Sequence, residues 1–315
     1  MSGGVKVAAV VGATASGKTA LAVELAVRLN GEVISADSMQ IYQGLSIATA
    51  KPTPEEMRGI PHHLIDFVPP GEAFSVARFC ELGHEAIADI MAREKLPIVC
   101  GGTGLYVDSL LQNIIFPDIP SDDALRERLN AAFDSGGGEA LLARLRAIDP
   151  ATADRLSPAD KKRIVRGLEV YELSGVTLSE FARRSRAFPD RYQSCIIGIG
   201  YRDRQKLYDR INRRVDGMLE AGLLDEVRDF YAHSAGKKTV VQAIGCKELL
   251  PFLNGEQTLE EAVEKLKMET RRFAKRQLTW FRRNATIYWI YADECASFEE
   301  LADMAEQQIR ETLNI

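Results

Sequence analysis

Val5-Lys6-Val7-Ala8-Ala9-Val10-Val11-Gly12-Ala13-Thr14-Ala15-Ser16-Gly17-Lys18-Thr19 is the stretch that decides how this chain folds. Its first seven residues make a short, largely apolar run, the pattern of a parallel strand buried on both faces. The run stops at Gly12 and Gly-x-x-x-x-Gly-Lys-Thr follows. Leu21, Leu25 and Leu29 then recur at helical spacing until Asn30-Gly31 closes the helix. Strand, glycine loop and helix in that order is the setting in which this motif binds phosphate. The glycines let backbone N–H groups and the helix N-terminus turn toward one anion. Lys18 adds a positive charge, and the Thr19 hydroxyl can bind Mg²⁺. A glycine turn without a ligand is the plain alternative, and the strand–loop–helix context disfavours it. Gly12, Ala13, Thr14, Ala15, Ser16, Gly17, Lys18 and Thr19 are therefore read as a diphosphate cradle.

Working outward, Glu32-Val-Ile-Ser-Ala reads as a second strand that delivers Asp37 at its C-terminal end. A helix over Ser75 to Glu94 leads to a third strand, Pro97-Ile-Val-Cys, which runs into Gly101-Gly102-Thr103-Gly104. This alternation predicts an α/β parallel sheet. From about Asp118 to Asp190 the pattern is helical, broken at Gly136-Gly137-Gly138 and Pro158. Strand character returns at Ser194-Cys-Ile-Ile-Gly-Ile-Gly200. The rest is mostly helical to Ile315, apart from a candidate last strand within Ala285 to Tyr291. The expected fold is an α/β, P-loop NTPase-like parallel-sheet core with an inserted helical domain and a mostly helical C-terminal part. Residues 1–118 and 194–315 would form the core, and 119–193 the insertion.

The 315 residues suffice for one large domain or two smaller ones, and 46% hydrophobic with 27% charged content is ordinary for a globular protein. No apolar run approaches the ~20 residues of a membrane helix. Met1 to Lys6 lacks a secretion-signal pattern, so a cytoplasmic location is expected. The five cysteines (Cys80, Cys100, Cys195, Cys246, Cys295) lie far apart and read as reduced thiols. A net charge of −5 argues against a polyanionic partner on average, yet Arg271 to Arg283 holds six basic residues and no acidic one. Its cations suit phosphates, and Phe273, Trp280 and Phe281 suit unpaired bases. A solvated face above core aromatics is the alternative.

Most P-loop proteins are nucleoside triphosphatases or kinases, which place an acidic residue at a strand end to help hold Mg²⁺. Here the strand at Pro97 to Cys100 runs into glycines instead. Asp37, and Asp66 after His62-His63-Leu64-Ile65, come without the rest of a kinase set. The loop cradles a diphosphate without requiring it to belong to ATP, and whether ATP binds there stays open.

Taken together, several segments resemble one family, the tRNA dimethylallyltransferases (tRNA isopentenyltransferases). They are Gly12 to Thr19, Ile34-Ser-Ala-Asp-Ser-Met-Gln-Ile-Tyr42, Thr49-Ala-Lys-Pro52, His62-His-Leu-Ile-Asp66 and Gly101-Gly-Thr-Gly-Leu-Tyr106. Arg163-Ile-Val-Arg-Gly-Leu-Glu-Val-Tyr171, Gln242-Ala-Ile-Gly245 and Lys275-Arg-Gln-Leu-Thr-Trp-Phe-Arg282 follow, so the resemblance spans nearly the whole chain in order. It implies a P-loop core crossed by a channel, with the helical insertion. It also implies transfer of a dimethylallyl group from dimethylallyl diphosphate to N6 of the adenosine at position 37 of a tRNA anticodon loop. The expected partners are the tRNA anticodon stem-loop and dimethylallyl diphosphate, with Mg²⁺ as cofactor, no membrane, and a monomeric chain.

The resemblance also assigns roles. Adenine N6 is a poor nucleophile that must lose a proton, so a positioned base is wanted. Asp37 matches the family's base, and a plain turn cap is its structural alternative. Thr103 matches a threonine that would donate to the bridging oxygen of the leaving diphosphate. Arg210 and Arg214, four apart on one helix face, would bind diphosphate, Arg214 more directly. The implied tRNA-binding set is Asp37, Ser38, Met39 and Gln40; Lys161, Lys162, Arg163, Ile164 and Arg166 on the insertion; Gln242, Ile244, Gly245 and Lys247; and Lys275, Arg276, Gln277, Thr279, Trp280 and Arg282. Two positions depart from the family pattern: Ala13 replaces a common proline and Cys246 a usual tyrosine. The zinc-finger tail of eukaryotic members has no counterpart after Cys246. A free-nucleotide prenyltransferase and an RNA-binding P-loop ATPase or kinase are the rival readings. The insertion and the basic segment favour a tRNA substrate over the first rival, and the missing second acidic magnesium site speaks against the second.

Overall fold

A computed structural model describes residues 4–112, 114, 122–186, 190–233 and 244–315. The apolar opening run forms β1 (Val5–Gly12), whose last six residues are buried, and α1 (Lys18–Arg28) follows the glycine loop. β2 (Gly31–Ser35), the short α2 (Pro54–Met57), β3 (His62–His63), α3 (Val76–Ala92), β4 (Leu96–Gly101) and α4 (Gly104–Leu111) come next. Five helices then follow with no strand among the described residues: α5 (Asp123–Ala132), α6 (Gly138–Ile148), α7 (Pro150–Ala153), α8 (Lys161–Ser174) and α9 (Leu178–Arg186). The chain returns through β5 (Tyr192–Gly200), α10 (Arg204–Glu220), α11 (Leu223–His233), α12 (Cys246–Leu253), α13 (Leu259–Phe281), β6 (Tyr288–Tyr291) and α14 (Phe298–Leu313).

All six strands run parallel in the order β3-β2-β4-β1-β5-β6. β1 lies between β4 (Val11 opposite Gly101) and β5 (Gly12 opposite Ile199), so the loops that leave these strands emerge on one edge. Ligands gather outside the carboxyl ends of parallel strands in sheets of this kind. Ala8 and Val10 of β1 pack with Leu21 and Leu25 of α1 and with Ile309 and Leu313 of α14. Burial on both faces explains why β1 reads as a continuous apolar run rather than an alternating one.

The two-residue edge strand β3 is too short to have a sequence period. It pairs His62 with Val33 and His63 with Ile34. There the carboxylate of Glu32, 2% exposed, meets Lys95 (2.9 Å), His63 (2.7 Å) and Arg93 (2.6 Å). Burial alone would raise its pKa, but those partners outweigh burial and hold it at about 2. The Gly136-Gly137-Gly138 break is a kink rather than a loop: a wide turn over Phe133–Gly137, with Gly136 at φ 91°, joins α5 to α6.

The chain divides into two compact units, Met1–Leu111 with Arg191–Ile315, and Gln112–Asp190. The boundary expected at 118 falls outside the described residues. The second unit has a core of its own, in which Leu125, Leu129, Leu145, Ile164 and Leu168 meet. No helix among the described residues is long and apolar enough to cross a membrane.

Candidate functional site

The phosphate loop takes its shape from two left-handed residues, Ala15 at φ 61° and Gly17 at φ 96°. Gly17 tolerates that conformation because it has no Cβ, and as the N-cap of α1 it exposes the helix N-terminus. The loop divides its labour. Ala13 is fully buried against Leu207, Ile211 and Ala274, Ser16 is 3% exposed, and neither these nor Gly12 lines either of the two cavities at the loop. The side chains of Ala13 and Ser16 are thus turned into the loop, and the part expected of these three in binding diphosphate falls to their backbone. Thr14, Ala15, Gly17, Lys18 and Thr19 form its open surface.

The two cavities meet at that surface. The larger, ≈ 570 Å³, is lined by Ala15, Gly17, Lys18, Thr19, Arg58, Arg210, Arg213 and Arg214, with Val23, Pro52 and Phe298 as apolar parts of its wall. The second, ≈ 350 Å³, has Asp37, Ser38, Met39, Ile211, Val215, Met218, Leu223, Phe273 and Arg276 in its wall. Lys18, Thr19 and Arg214 belong to both walls. Burial pushes the Lys18 ammonium below the ordinary lysine range; Cys100 and Asp37 oppose that shift, and Arg214 adds to it. Arg214 is likewise lowered by burial, partly offset by Asp37. Two desolvated cations side by side constitute a receptor for a multiply charged anion. Arg214 Nη1 also reaches Thr14 Oγ1 at 3.4 Å, whereas Arg210 Nε donates to the Ala15 carbonyl at 2.9 Å and braces the loop from outside.

Asp37 follows the end of β2 and lines the second cavity. Its Oδ1 accepts from Met39 N (2.9 Å) and Gln40 N (3.4 Å), so the turn-cap reading is realised, and the same carboxylate faces the cavity. Thr103 Oγ1 accepts from Ser38 N at 3.0 Å and donates to Ser38 Oγ at 3.3 Å, and Thr103 is absent from both cavity walls. It can serve a bridging oxygen only by exchanging that longer bond. Gln40, expected to contact a base, has its amide committed elsewhere. Nε2 donates to the Thr49 and Ala50 carbonyls (3.2 and 2.9 Å), and Oε1 accepts from Ser35 Oγ (3.1 Å). The Thr49-Ala-Lys-Pro52 segment thus anchors the Asp37 loop while Thr49, Ala50 and Pro52 also line the cavities, and Lys51 pairs with Asp66 and donates to the Tyr42 carbonyl.

The basic segment sits on α13, which starts at a capping box of Thr258 and Glu261. Helical periodicity splits the segment. Lys275, Arg276, Thr279 and Arg282 are exposed, whereas Gln277 is 5% exposed and Trp280 Nε1 donates to Asp108 Oδ2 at 2.7 Å. Gln277 thus faces the second cavity and Trp280 is held against Asp108, so neither shares the outer face of α13 with Lys275 and Arg282. Ile244, Gly245 and Lys247 line the second cavity beside Arg276, while Gln242 lies outside the described residues. Cys246 is fully buried in the core with Tyr42, Leu45 and Leu249, so the side chain at this position points away from any ligand.

On the insertion, Lys162, Arg163 and Arg166 are exposed. Lys161 is held by Asp134 at 2.7 Å, and Arg166 pairs with Glu169 at 2.9 Å. Ile164 is fully buried in the insertion core and cannot reach a partner. Three cations in the first turn of α8 oppose the helix dipole, an arrangement that favours an anion there.

The apolar wall of the second cavity (Ile211, Val215, Met218, Leu223, Leu266) and the outer Arg58 and Phe298 escape sequence reading. They come from distant elements and carry no local signal.

Comparison with known proteins matches residues 40–284 to the IPP transferase family model and residues 5–66 to an isopentenyl transferase model. A tRNA dimethylallyltransferase of Acetivibrio thermocellus is 50% identical over 293 residues, covering 93% of each chain. Among solved structures, the tRNA isopentenylpyrophosphate transferase of Bacillus halodurans is similar at 44% identity and a TM-score of 0.73, over 98% of this chain and 97% of that one. A eukaryotic dimethylallyltransferase acting on tRNA is similar at 32% identity and a TM-score of 0.77, over 91% and 74%.

Proposed function

Because the chain belongs to the tRNA dimethylallyltransferase (IPP transferase) family, we propose that it transfers a dimethylallyl group from dimethylallyl diphosphate to N6 of adenosine 37 in a tRNA anticodon loop. The observation that carries this reading is the wall shared by the two cavities. Lys18, Thr19 and Arg214 face the larger, arginine-lined cavity on one side and, on the other, the second cavity, where Asp37 lies beside an apolar wall of Ile211, Val215, Met218 and Leu223. A diphosphate held on that wall directs its allylic carbon toward the second cavity. Adenine N6 attacks that carbon, the C–O bond breaks, and the diphosphate leaves with the electron pair. Asp37 takes the N6 proton as the C–N bond forms. Lys18 and Arg214 face the charge that accumulates on the leaving group, the place where preorganised cations lower a barrier most. Thr103 is assigned as donor to the bridging oxygen, and its hold on Ser38 fixes the loop that carries Asp37.

Thr19 is the residue that would hold Mg²⁺. Its neutral hydroxyl oxygen is a hard donor in the same cavity wall as Lys18, a chemistry that suits magnesium. Bound there, the ion would supply further neutralisation of the phosphate charge. The exposed cations of α13 and of α8 supply the tRNA contacts.

The test mixes purified protein, Mg²⁺ and labelled dimethylallyl diphosphate with either tRNA or AMP. Label in tRNA and none in AMP is the expected result, and label in AMP alone would overturn the assignment in favour of a free-nucleotide prenyltransferase. For the RNA surface, Lys275→Ala with Arg276→Ala weakens tRNA binding and reduces the slope of log K against log salt by about 0.7–0.9 for each phosphate that the protein no longer neutralises. A titration series with an unchanged slope would remove these residues from the interface.

A further inference from the structure

Gln277 joins the two loops that frame the reacting atoms. Its Oε1 accepts from Thr14 N at 2.8 Å in the phosphate loop, and its Nε2 donates to the Gly102 carbonyl at 2.9 Å in the loop after β4. Thr14 offers a donor and Gly102 an acceptor, so these neighbours fix which way the amide faces. The fit is close: a Cβ on Gly102 would lie 2.1 Å from Gln277 Nε2. Three residues further along α13, Trp280 covers Gly104, where a Cβ would lie 2.1 Å from its Cδ1, and bonds Asp108. Two side chains of a single helix face thus hold both loops. The same helix presents Phe273, Arg276 and Gln277 itself to the second cavity and Lys275 and Arg282 to solvent.

We infer that Gln277 is a positioning residue that couples the seating of tRNA on α13 to the alignment of the phosphate loop with the Gly101–Gly104 loop. The inference rests on the prenyl-transfer reading above. With Thr14 N–H held by Gln277, the cradle uses the remaining loop donors, and their aim depends on where α13 stands. A nucleic acid that presses on the outer face of α13 therefore acts on the diphosphate through one buried amide. A residue that merely contacts tRNA would show its loss in KM for tRNA. A positioning residue shows it in kcat.

The experiment uses the full chain carrying Gln277→Ala, Gln277→Met or Gln277→Glu, each confirmed folded by its melting midpoint. In Gln277→Ala, kcat falls about 10- to 100-fold, the scale set by two buried groups left without partners, while KM for tRNA moves less than about threefold. Gln277→Met fills the same space without the amide and behaves alike. Gln277→Glu supplies the readout that bulk packing does not produce. Its carboxylate keeps an acceptor for Thr14 N–H but opposes the Gly102 carbonyl. Its protonated form restores a donor and matches the amide in shape. Burial raises a carboxyl pKa and the nearby cations Lys18, Arg214, Arg276 and Lys247 lower it, with Asp37 acting as burial does. Relative to the native enzyme at each pH, this variant recovers activity about tenfold as pH falls from about 8 to 6, the direction in which a buried acid regains its proton. A ratio flat with pH, or a Gln277→Met enzyme with native kcat, overturns the coupling. So does a loss confined to KM for tRNA. If native protein prenylates tRNA and the variants match it, only this inference falls. If native protein leaves tRNA unlabelled, the prenyl-transfer reading falls with it.

Discussion

Asp37→Asn lowers turnover by about 10²- to 10⁴-fold, the range a positioned general base contributes, and leaves binding of both substrates in place. Asparagine is the informative replacement because of how Asp37 is held. Oδ1 accepts from Met39 N and Gln40 N, and an asparagine oxygen can keep both bonds, so the loop after β2 retains its shape. What disappears is the negative charge and the proton acceptor facing the second cavity. The charge also matters to its neighbours, since Asp37 favours the charged forms of Lys18 and Arg214. Removing a carboxylate from beside a phosphate site takes away a repulsion, so affinity for the prenyl diphosphate stays equal or rises. Single-turnover kinetics with calorimetric titration of the diphosphate separates the two effects. Turnover near the native rate would remove Asp37 from the base role. Weakened diphosphate affinity at native turnover would make it a binding residue.

The phosphate loop and Asp37 are legible in the sequence because each follows directly on a strand, so their setting is local. Two other kinds of information are not local. One is the inward or outward sense of a helical residue within a basic run. Lys275 to Arg282 reads as one RNA surface, yet the helix turns Gln277 inward to Thr14 and Gly102 while Lys275, Arg276 and Thr279 stay outside. Ile164 fails the same way: Arg163 and Arg166 are exposed, and Ile164 lies in the insertion core. The 3.6-residue period would have separated these residues, but charge and family likeness marked the whole segment at once. The other kind is juxtaposition across the chain. The sheet order places β4 and β5 either side of β1, and the meeting of Arg58, Arg213 and Phe298 in one cavity wall exists only after folding. Gln40 shows a third limit. A polar side chain in a site motif satisfies its hydrogen bonds wherever partners are nearest, and here those partners are the Thr49 and Ala50 carbonyls.

Arg214→Ala lowers kcat/KM for the prenyl diphosphate by about 10²- to 10³-fold, the scale of removing one preorganised group aimed at developing charge. Three arginines of α10 line the larger cavity, and their geometry ranks them. Arg214 alone lies on the wall shared with the second cavity and reaches Thr14 Oγ1. Arg210 is tied to the Ala15 carbonyl, and Arg213 Nε turns back to the Asp209 carbonyl at 3.4 Å. Arg213→Ala therefore has a small effect, Arg210→Ala an intermediate one through the loop, and Arg214→Lys recovers little because an ammonium lacks the planar fork. Stability supplies a second, opposite signature. Arg214 is a desolvated cation whose charge opposes that of Lys18, so removing it relieves a repulsion in the free protein. The melting midpoint of the unliganded variant stays level or rises, while the upward shift produced by added prenyl diphosphate shrinks, because ligand stabilisation follows affinity for the folded state. A variant that melts lower yet keeps the full ligand-induced shift would place Arg214 in the scaffold, and a larger kinetic loss in Arg213→Ala would reverse the ranking. The expected combination, a more stable free enzyme with a weaker grip on the leaving group, is what a site holding two buried cations in readiness for one anion must give when one of them is removed.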